Sequence, residues 1–326
     1  MAFRLKLVPE NTKIDFFRWQ YLTFGLSTVL AIASIIILFI NGLNFGIDFR
    51  GGTTIRTESA QPVDVGAYRQ ALQTLDLGDV AITQVYDPTF REDQHVAQVR
   101  ISAQEGTEAV TPETILAVEG ALQEVDPSIT FPLVESVGPK VSGELINTAI
   151  YAVLASLAAI AIYIWLRFEW QFAIGALVSL IHDVLITMGI FALFQIKFDL
   201  TTIAALLTIL GYSINDTVVV FDRLRENLMK FKKMPLRDVM NLSVNETLSR
   251  TVMTSGTTLV ALIALLVLGG DVIRGFVFAI TFGIVIGTYS SVYVAKNVVL
   301  WLGVKRDWSK PDPKAAGTQF SEGGNP

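Results

Sequence analysis

Cysteine is absent from this 326-residue chain, which excludes disulfides and thiolate metal sites. P-loop, dinucleotide-binding glycine fingerprint and zinc-ligand spacing are missing as well. The glycine pair Gly51-Gly52 follows Phe45-Gly46-Ile47-Asp48-Phe49-Arg50 but leads into neither Lys-Ser nor a helical pattern, so it does not read as a phosphate loop. No ATP site, cofactor or metal is expected, and nucleic acid is not expected among the partners. Charge is scarce too, at 17% of residues against 52% hydrophobic, with a mean hydropathy of +0.51. That balance excludes an ordinary soluble domain of this length and points to a polytopic membrane protein with one sizeable polar insert. Without an ATP site, any work must draw on an ion gradient, and a unit charge falling through 100 mV releases about 2.3 kcal/mol.

Six apolar runs are long enough to cross a bilayer as helices: about 21–40, 145–166, 172–194, 200–221, 251–268 and 275–301. The first is too long for a signal-peptide core. Its small residues Ala31 and Ala33 lie mid-run rather than at a cleavage position, so it reads as a retained helix. Lys and Arg are unevenly spread. Arg4, Lys6, Lys13 and Arg18 precede the first run, a strongly basic loop extends from Arg223 to Arg237, and Lys305-Arg306 opens the tail. Threading six spans puts these three stretches on one side, which the positive-inside rule makes the cytoplasm. Residues 42–143, where 15 acidic residues face 6 basic ones, then lie outside it. The expected organisation is a cytoplasmic lead-in over 1–18, a transmembrane helix over 19–41, an external domain over 42–143, five transmembrane helices over 144–303, and a cytoplasmic tail over 304–326 whose polar composition reads as disordered.

The external stretch has a readable pattern. Thr53–Thr57 reads as a strand, and Val65, Tyr68, Leu72 and Leu75 make a helical stripe. A strand begins at Val80 and Ile82 and ends by Asp87-Pro88, and Ala97, Val99 and Ile101 alternate as another. Thr111-Pro112-Glu113 is a helix start, with a cap, a first-turn proline and an acid at the positive end. Ile115, Val118, Leu122 and Val125 repeat the first stripe, and Ile129, Phe131 and Leu133 alternate. The expected order is β-α-β-β-α-β, the ferredoxin-like plan.

Ionisable groups inside the apolar runs carry the functional signal. An Asp at the centre of a membrane helix costs about 2.5–3.5 kcal/mol on insertion scales, so Asp216 needs either compensation or a use. Thr201, Ala205, Thr208, Tyr212 and Asn215 form one small, polar face beside it, expected to point into a helix bundle. His182-Asp183 lies near the middle of the third run, with Ala176, Ser179, Asp183 and Thr187 on one face. That pair fits a proton relay or a packing lock in which Asp183 binds a hydroxyl of a neighbouring helix. Arg250 opens the fifth run, with Thr254, Thr257, Ala261 and Ala264 on its face. Asp216 sits about 8 Å inside the inner end of its helix, at 1.5 Å per residue, within reach of an inward-leaning arginine. Pairing would favour the charged carboxylate and separation in a dry interior the protonated one, which is a workable proton switch. The alternatives are a hydrogen-bonded Asp216 in a polar seam and an arginine that only snorkels. Two runs of small residues, Thr148/Ala152/Ala155/Ala159 and Ala279/Gly283/Gly287, read as sites of close helix approach.

Asn44–Gly52 after the first run, Val137-Gly138-Pro139 before the second, His182-Asp183 in the third, Gly211–Asn227 and Ser255-Gly256-Thr257-Thr258 together resemble the SecD/SecF family of bacterial protein-export membrane subunits, within the resistance–nodulation–division superfamily. The resemblance covers residues 14–303. It implies six helices that form half of a pseudo-symmetric twelve-helix unit, with 42–143 in the periplasm and the chain in the inner membrane. It implies a SecD-like partner, the SecYEG channel, YajC and YidC as accessory partners, and unfolded preprotein as the cargo drawn out by the proton-motive force. It also implies a transport subunit and not an enzyme, with proton movement tied to Asp216 and Arg250. Two other readings stay open here: half of a small-molecule exporter of the same superfamily, and a membrane scaffold without proton chemistry.

Overall fold

The computed structural model describes residues 12–304 except 76, 88–89 and 103–109. Within it α1 (Gln20–Asn41) ends at Gly42, whose φ of 64° lies in the left-handed region that glycine adopts without cost. A two-residue strand, β1 (Asn44–Phe45), and a single helical turn, α2 (Ile47–Arg50), follow. Gly51 and Gly52, at φ 71° and 116°, then turn the chain into the sheet domain. This is the structural use of the glycine pair.

The domain runs β2 (Gly52–Ser59), α3 (Val65–Leu72), β3 (Val80–Val85), β4 (His95–Ile101), α4 (Pro112–Val125) and β5 (Thr130–Val137). Its four strands form one sheet in the order β3-β4-β2-β5, with every neighbouring pair antiparallel. The sequence alternation sets which face is covered. Ile55 and Val99, paired across β2 and β4, point to the side where Tyr68 and Leu72 of α3 and Val118 and Leu122 of α4 close the core. The expected start of α4 is present: Thr111 Oγ1 accepts from the Thr114 amide at 3.3 Å, and Pro112 occupies the first turn. At the far end of α4, Ser59 and Ser128 donate to Asp126 and hold its carboxyl below the usual range. β3 ends at Val85, and Pro88, expected as its stop, lies outside the described residues.

The remaining helices are α5 (Pro139–Arg167), α6 (Trp170–Phe194), α7 (Leu200–Lys230), α8 (Leu236–Leu268), α9 (Asp271–Ser290) and α10 (Lys296–Leu302). A π-helical turn, Ser291–Ala295, joins the last two into one span. With α1 they make six helices long and apolar enough to cross a membrane. A short strand, β6 (Lys197–Phe198), precedes α7 and pairs in parallel with β1.

Several expectations change in detail. The basic stretch Arg223–Arg237 is not a loop: α7 continues to Lys230 and α8 starts at Leu236, so only 231–235 connect them. Arg250 consequently lies well inside a helix, although it still opens the apolar part. Ala279, Gly283 and Gly287 are buried, and a Cβ on Gly283 would come within 2.3 Å of Ile209, so α9 does press on α7 there. The small run in α5 does not make such a seam within the chain, since Thr148, Ala155 and Ala159 are exposed and Ala152 is only half-buried. The segment before α1 docks beside α8: the Ile14 and Phe16 amides donate to the side chains of Asn245 and Asn241, each at 2.9 Å. Residues 12–19 therefore lie at the same end of the bundle as the α7–α8 connection. Arg4, Lys6 and the tail from Lys305 fall outside the described residues.

Candidate functional site

The polar residues expected on α6, α7 and α8 fall into two groups in the bundle. Asp183 is at the centre of the first. It is fully buried where α6, α7 and α9 meet. Ser213 Oγ of α7 and Ser290 Oγ of α9 donate to its Oδ2 at 2.7 and 2.8 Å, and Ser179 Oγ donates to Ser290 Oγ at 2.9 Å. His182 Nδ1 lies 3.0 Å from Asp183 Oδ1, while the buried His182 Nε2 has no hydrogen-bond partner among the described residues. Gly287 makes room for this cluster, since a Cβ there would lie 3.0 Å from the Ser213 Cβ and 3.5 Å from Asp183 Oδ2. The expected α6 face of Ala176, Ser179, Asp183 and Thr187 is buried throughout.

Asp216 is the centre of the second group, one turn further along α7 than Ser213. It is buried, and its Oδ2 accepts from Ser255 Oγ of α8 at 3.3 Å. Ser255 is in turn 2.8 Å from Thr288 Oγ1 of α9. Arg250 is near enough for its charge to act on Asp216, yet no hydrogen bond or ion pair joins the two, and Arg250 is exposed. The structure thus holds the pair in the separated arrangement.

The face beside Asp216 differs from expectation. Thr201, Thr208 and Asn215 are exposed and Tyr212 is half-buried, reaching Thr258 Oγ1 at 3.3 Å. On α8, Thr257, Ala261 and Ala264 are exposed and Thr254 is half-buried. Apart from Ala205, which is buried, these faces do not enter this chain's own bundle. Side chains such as Leu206, Ile209, Leu210 and Val220 enter it instead, because the apolar stripe of α7 lies on the other side of Asp216. The polar faces of α7 and α8 adjoin one another and are left open.

Sequence reasoning missed four features. The hydroxyl partners Ser213, Ser255, Thr288 and Ser290 carry no signal of their own in a run of small residues. Asp48, from the stretch before the glycine pair, accepts from the Leu200 amide at 3.0 Å. With Asp199, which caps Thr202, it places two carboxylates at the positive end of α7, so the glycine-pair stretch and the start of the Asp216 helix are fixed to each other. The last span carries a buried lysine, Lys296, just after the π turn. Its Nζ donates to the Phe16 carbonyl at 3.3 Å and lies over the rings of Phe17, Phe16 and Tyr293, at 4.1, 5.1 and 5.1 Å from their centroids. Its place inside an apolar run was the available signal. The fourth is a set of ion pairs between the domain and α9, described below.

Chemically, two buried carboxylates held by hydroxyls can exchange protons, because a hydroxyl donates or accepts as the carboxyl state requires. Among the described residues no group of His, Asp and Glu is arranged to hold a metal.

Comparisons with known proteins agree with the residue patterns. The family model described as protein export membrane protein SecD/SecF, C-terminal, matches residues 117–305, and the SecD/SecF GG motif model matches 36–63. Protein translocase subunit SecF of Cereibacter sphaeroides is 73% identical over 321 residues, 98% of this chain and 99% of that one. The SecF of Rhodobacter capsulatus is 65% identical, with 96% of each covered. Protein translocase subunit SecDF of Brucella abortus is 40% identical over 93% of this chain, which spans 39% of that longer protein. The crystal structure of SecDF from Thermus thermophilus, described as a translocon-associated membrane protein, matches with TM-score 0.80 at 37% identity, over 90% of this chain and 39% of that one.

Proposed function

Because the chain belongs to the SecD/SecF family of protein-export membrane proteins, on its SecF side, we propose that it completes preprotein translocation by coupling a proton gradient to movement of its external domain. The observation that carries this reading is Asp216: a buried carboxylate with a single hydroxyl partner among the described residues, beside an exposed polar face and a nearby arginine with which it is not paired. A purely structural Asp would be saturated with donors, as Asp183 is. Asp216 takes up a proton when apart from Arg250 and releases it when the two pair. Each exchange shifts α7 against α8 and α9. Asp183, with His182, holds the three helices in register around that movement. Family membership sets aside the small-molecule exporter, and a scaffold without proton chemistry is the outcome that a functional Asp216→Asn would favour.

A six-helix chain with Thr208, Asn215, Arg250 and Thr257 on its outside has half of a polar pathway. We read the missing half as a SecD-like partner packed against α7 and α8, an arrangement supported by the relatives that carry both parts in one SecDF chain. The same role calls for the SecYEG channel, with YajC and YidC as accessory partners and unfolded preprotein as cargo. Purified and placed in liposomes, the chain alone should pass protons no faster than protein-free vesicles, and co-reconstitution with the partner should raise the flux. Equal flux from the chain alone would overturn the shared pathway.

We place the chain in the inner membrane with both ends cytoplasmic and the sheet domain, read as ferredoxin-like, in the periplasm. The chain has no native cysteine, so the orientation can be read by single-site labelling. A membrane-impermeant maleimide added to intact spheroplasts should label Thr83→Cys on β3. Lys232→Cys, in the α7–α8 connection, should react only after lysis. The reverse pattern would invert the orientation.

A further inference from the structure

Two ion pairs of opposite polarity fasten the sheet domain to the first turn of α9. Arg56 of β2 donates from Nη1 to both oxygens of Asp271, at 2.9 and 2.8 Å. One helical turn along, Arg274 Nη2 lies 2.9 Å from Oδ1 of Asp87, just past the end of β3. The domain therefore contributes one cation and one anion, and the helix one anion and one cation. Neither pair is loose on the surface: the Asp87 side chain is 0% exposed and that of Arg56 is 14% exposed. Partly buried pairs of this kind resist solvent screening, and alternating polarity penalises rotation or a one-turn slip, since like charges would then meet. Asp271 also sits at the positive end of α9, so the helix itself supports its charge.

The other end of the same helix carries the carboxylate partners. Thr288 bonds Ser255, which bonds Asp216, and Ser290 bonds Asp183. From Asp271 to Thr288 the helix is unbroken, roughly 25 Å at 1.5 Å per residue. Between those ends Ala279 and Gly283 let α9 approach α7 closely, with the Ile209 side chain seated against Gly283, so the two helices are packed along their length. Immediately after Ser290 comes the π turn, a form that recurs at functional sites and can absorb a change of helical register.

We propose that α9 is the connecting rod between the intramembrane carboxylates and the external domain, and that Arg56, Asp271, Asp87 and Arg274 are positioning residues that make the domain follow the rod. This inference rests on the proton-driven reading above.

Its test uses the full chain co-reconstituted with its SecD-type partner and the channel. Arg56→Glu and Asp271→Lys are made singly and together, and Asp87→Asn with Arg274→Gln serves as a neutral variant that introduces no repulsion. Spin labels at Thr83→Cys and Leu268→Cys report the distance from the domain to the helix ends. The single reversals should broaden that distance distribution. Gradient-driven export should fall about tenfold or more, since reversing one partner sets like charges against each other in a partly buried contact. Proton flux and the ATP-driven stage should stay within about twofold, and the double swap should restore the narrow distribution and most of the export. The neutral variant should act in the same direction more weakly, and it decides the matter should a reversal fail to fold. An unchanged distance distribution, or export at the wild-type level in the single variants, would overturn the rod. So would a fall in proton flux equal to the fall in export. Wild-type export indifferent to the gradient would instead defeat the proton-driven reading, while the distances would still show whether the domain is held.

Discussion

Asp216→Asn should reduce gradient-driven export to the level found with the gradient collapsed, while the protein still folds and assembles. Asn has nearly the shape of Asp and can still accept from Ser255, whose 3.3 Å hydrogen bond is the only one Asp216 makes among the described residues. The cost to stability should therefore not exceed about 1 kcal/mol, the usual worth of a single hydrogen bond. What Asn lacks is the ability to exchange a proton, and the proposed cycle requires that exchange at each turn. Arg250→Met should act in the same sense for a different reason. It removes the cation that draws Asp216 into its charged form, so the carboxyl stays protonated and the cycle halts in the separated arrangement. Early ATP-driven translocation does not draw on this site and should survive both changes. The measurement is export into inverted vesicles, with and without an imposed gradient, from equal amounts of assembled protein. Normal gradient-driven export with Asp216→Asn would falsify the switch and leave a scaffold in its place.

Much of this molecule was legible before the fold was known, for reasons that differ by region. The spans follow from apolar runs long enough to satisfy every backbone group internally, and few other structures are possible in lipid. The domain follows from period-two and helical stripes, since Ile55 and Val99 face the helices that bear Leu72 and Leu122. Asp183 and Asp216 stood out as candidates because a carboxylate in an apolar run is costly wherever it lies. The direction of the α7 polar face was not legible. A period of 3.6 shows that Thr208, Tyr212 and Asn215 share a side, but not whether that side meets this chain or a partner. Only packing decides that, and it leaves Thr208 and Asn215 outside. The ion pairs were invisible for a similar reason. Arg56 and Asp271 are 215 residues apart, and each looks like an ordinary surface charge until the sheet is laid on the end of α9. Lys296 showed only as a charge inside an apolar run; that the rings of Phe16 and Phe17, from the far end of the chain, cage it could not be read from spacing.

Asp183 should respond to substitution in the opposite way to Asp216, and that contrast separates packing from proton exchange. Its carboxylate receives Ser213 at 2.7 Å and Ser290 at 2.8 Å, with His182 at 3.0 Å, so one side chain ties α6 to α7 and α9. Removing it in Asp183→Ala takes the partner from Ser213 Oγ and His182 Nδ1, leaves Ser290 Oγ only the Gly287 carbonyl to donate to, and opens a space between three helices. An unsatisfied buried polar group costs about 1–3 kcal/mol, and here more than one is created. The lost volume adds to this, because close-packed helices relax only in part. The expected outcome is a fall in thermal stability of several degrees and a lower amount of assembled protein, with export reduced in proportion. Asp183→Asn should recover most of the stability, since an amide oxygen in the place of Oδ2 can accept from both serines while the amide nitrogen donates to His182 Nδ1. Export per assembled molecule should then be close to normal for Asp183→Asn, where it is lost for Asp216→Asn. Melting of both variants in detergent, paired with gradient-driven export normalised to protein amount, measures the difference. Should Asp183→Asn melt like the wild type but fail to export, Asp183 would belong to the proton path. The relay through His182, whose Nε2 has no partner among the described residues, would then be its natural continuation.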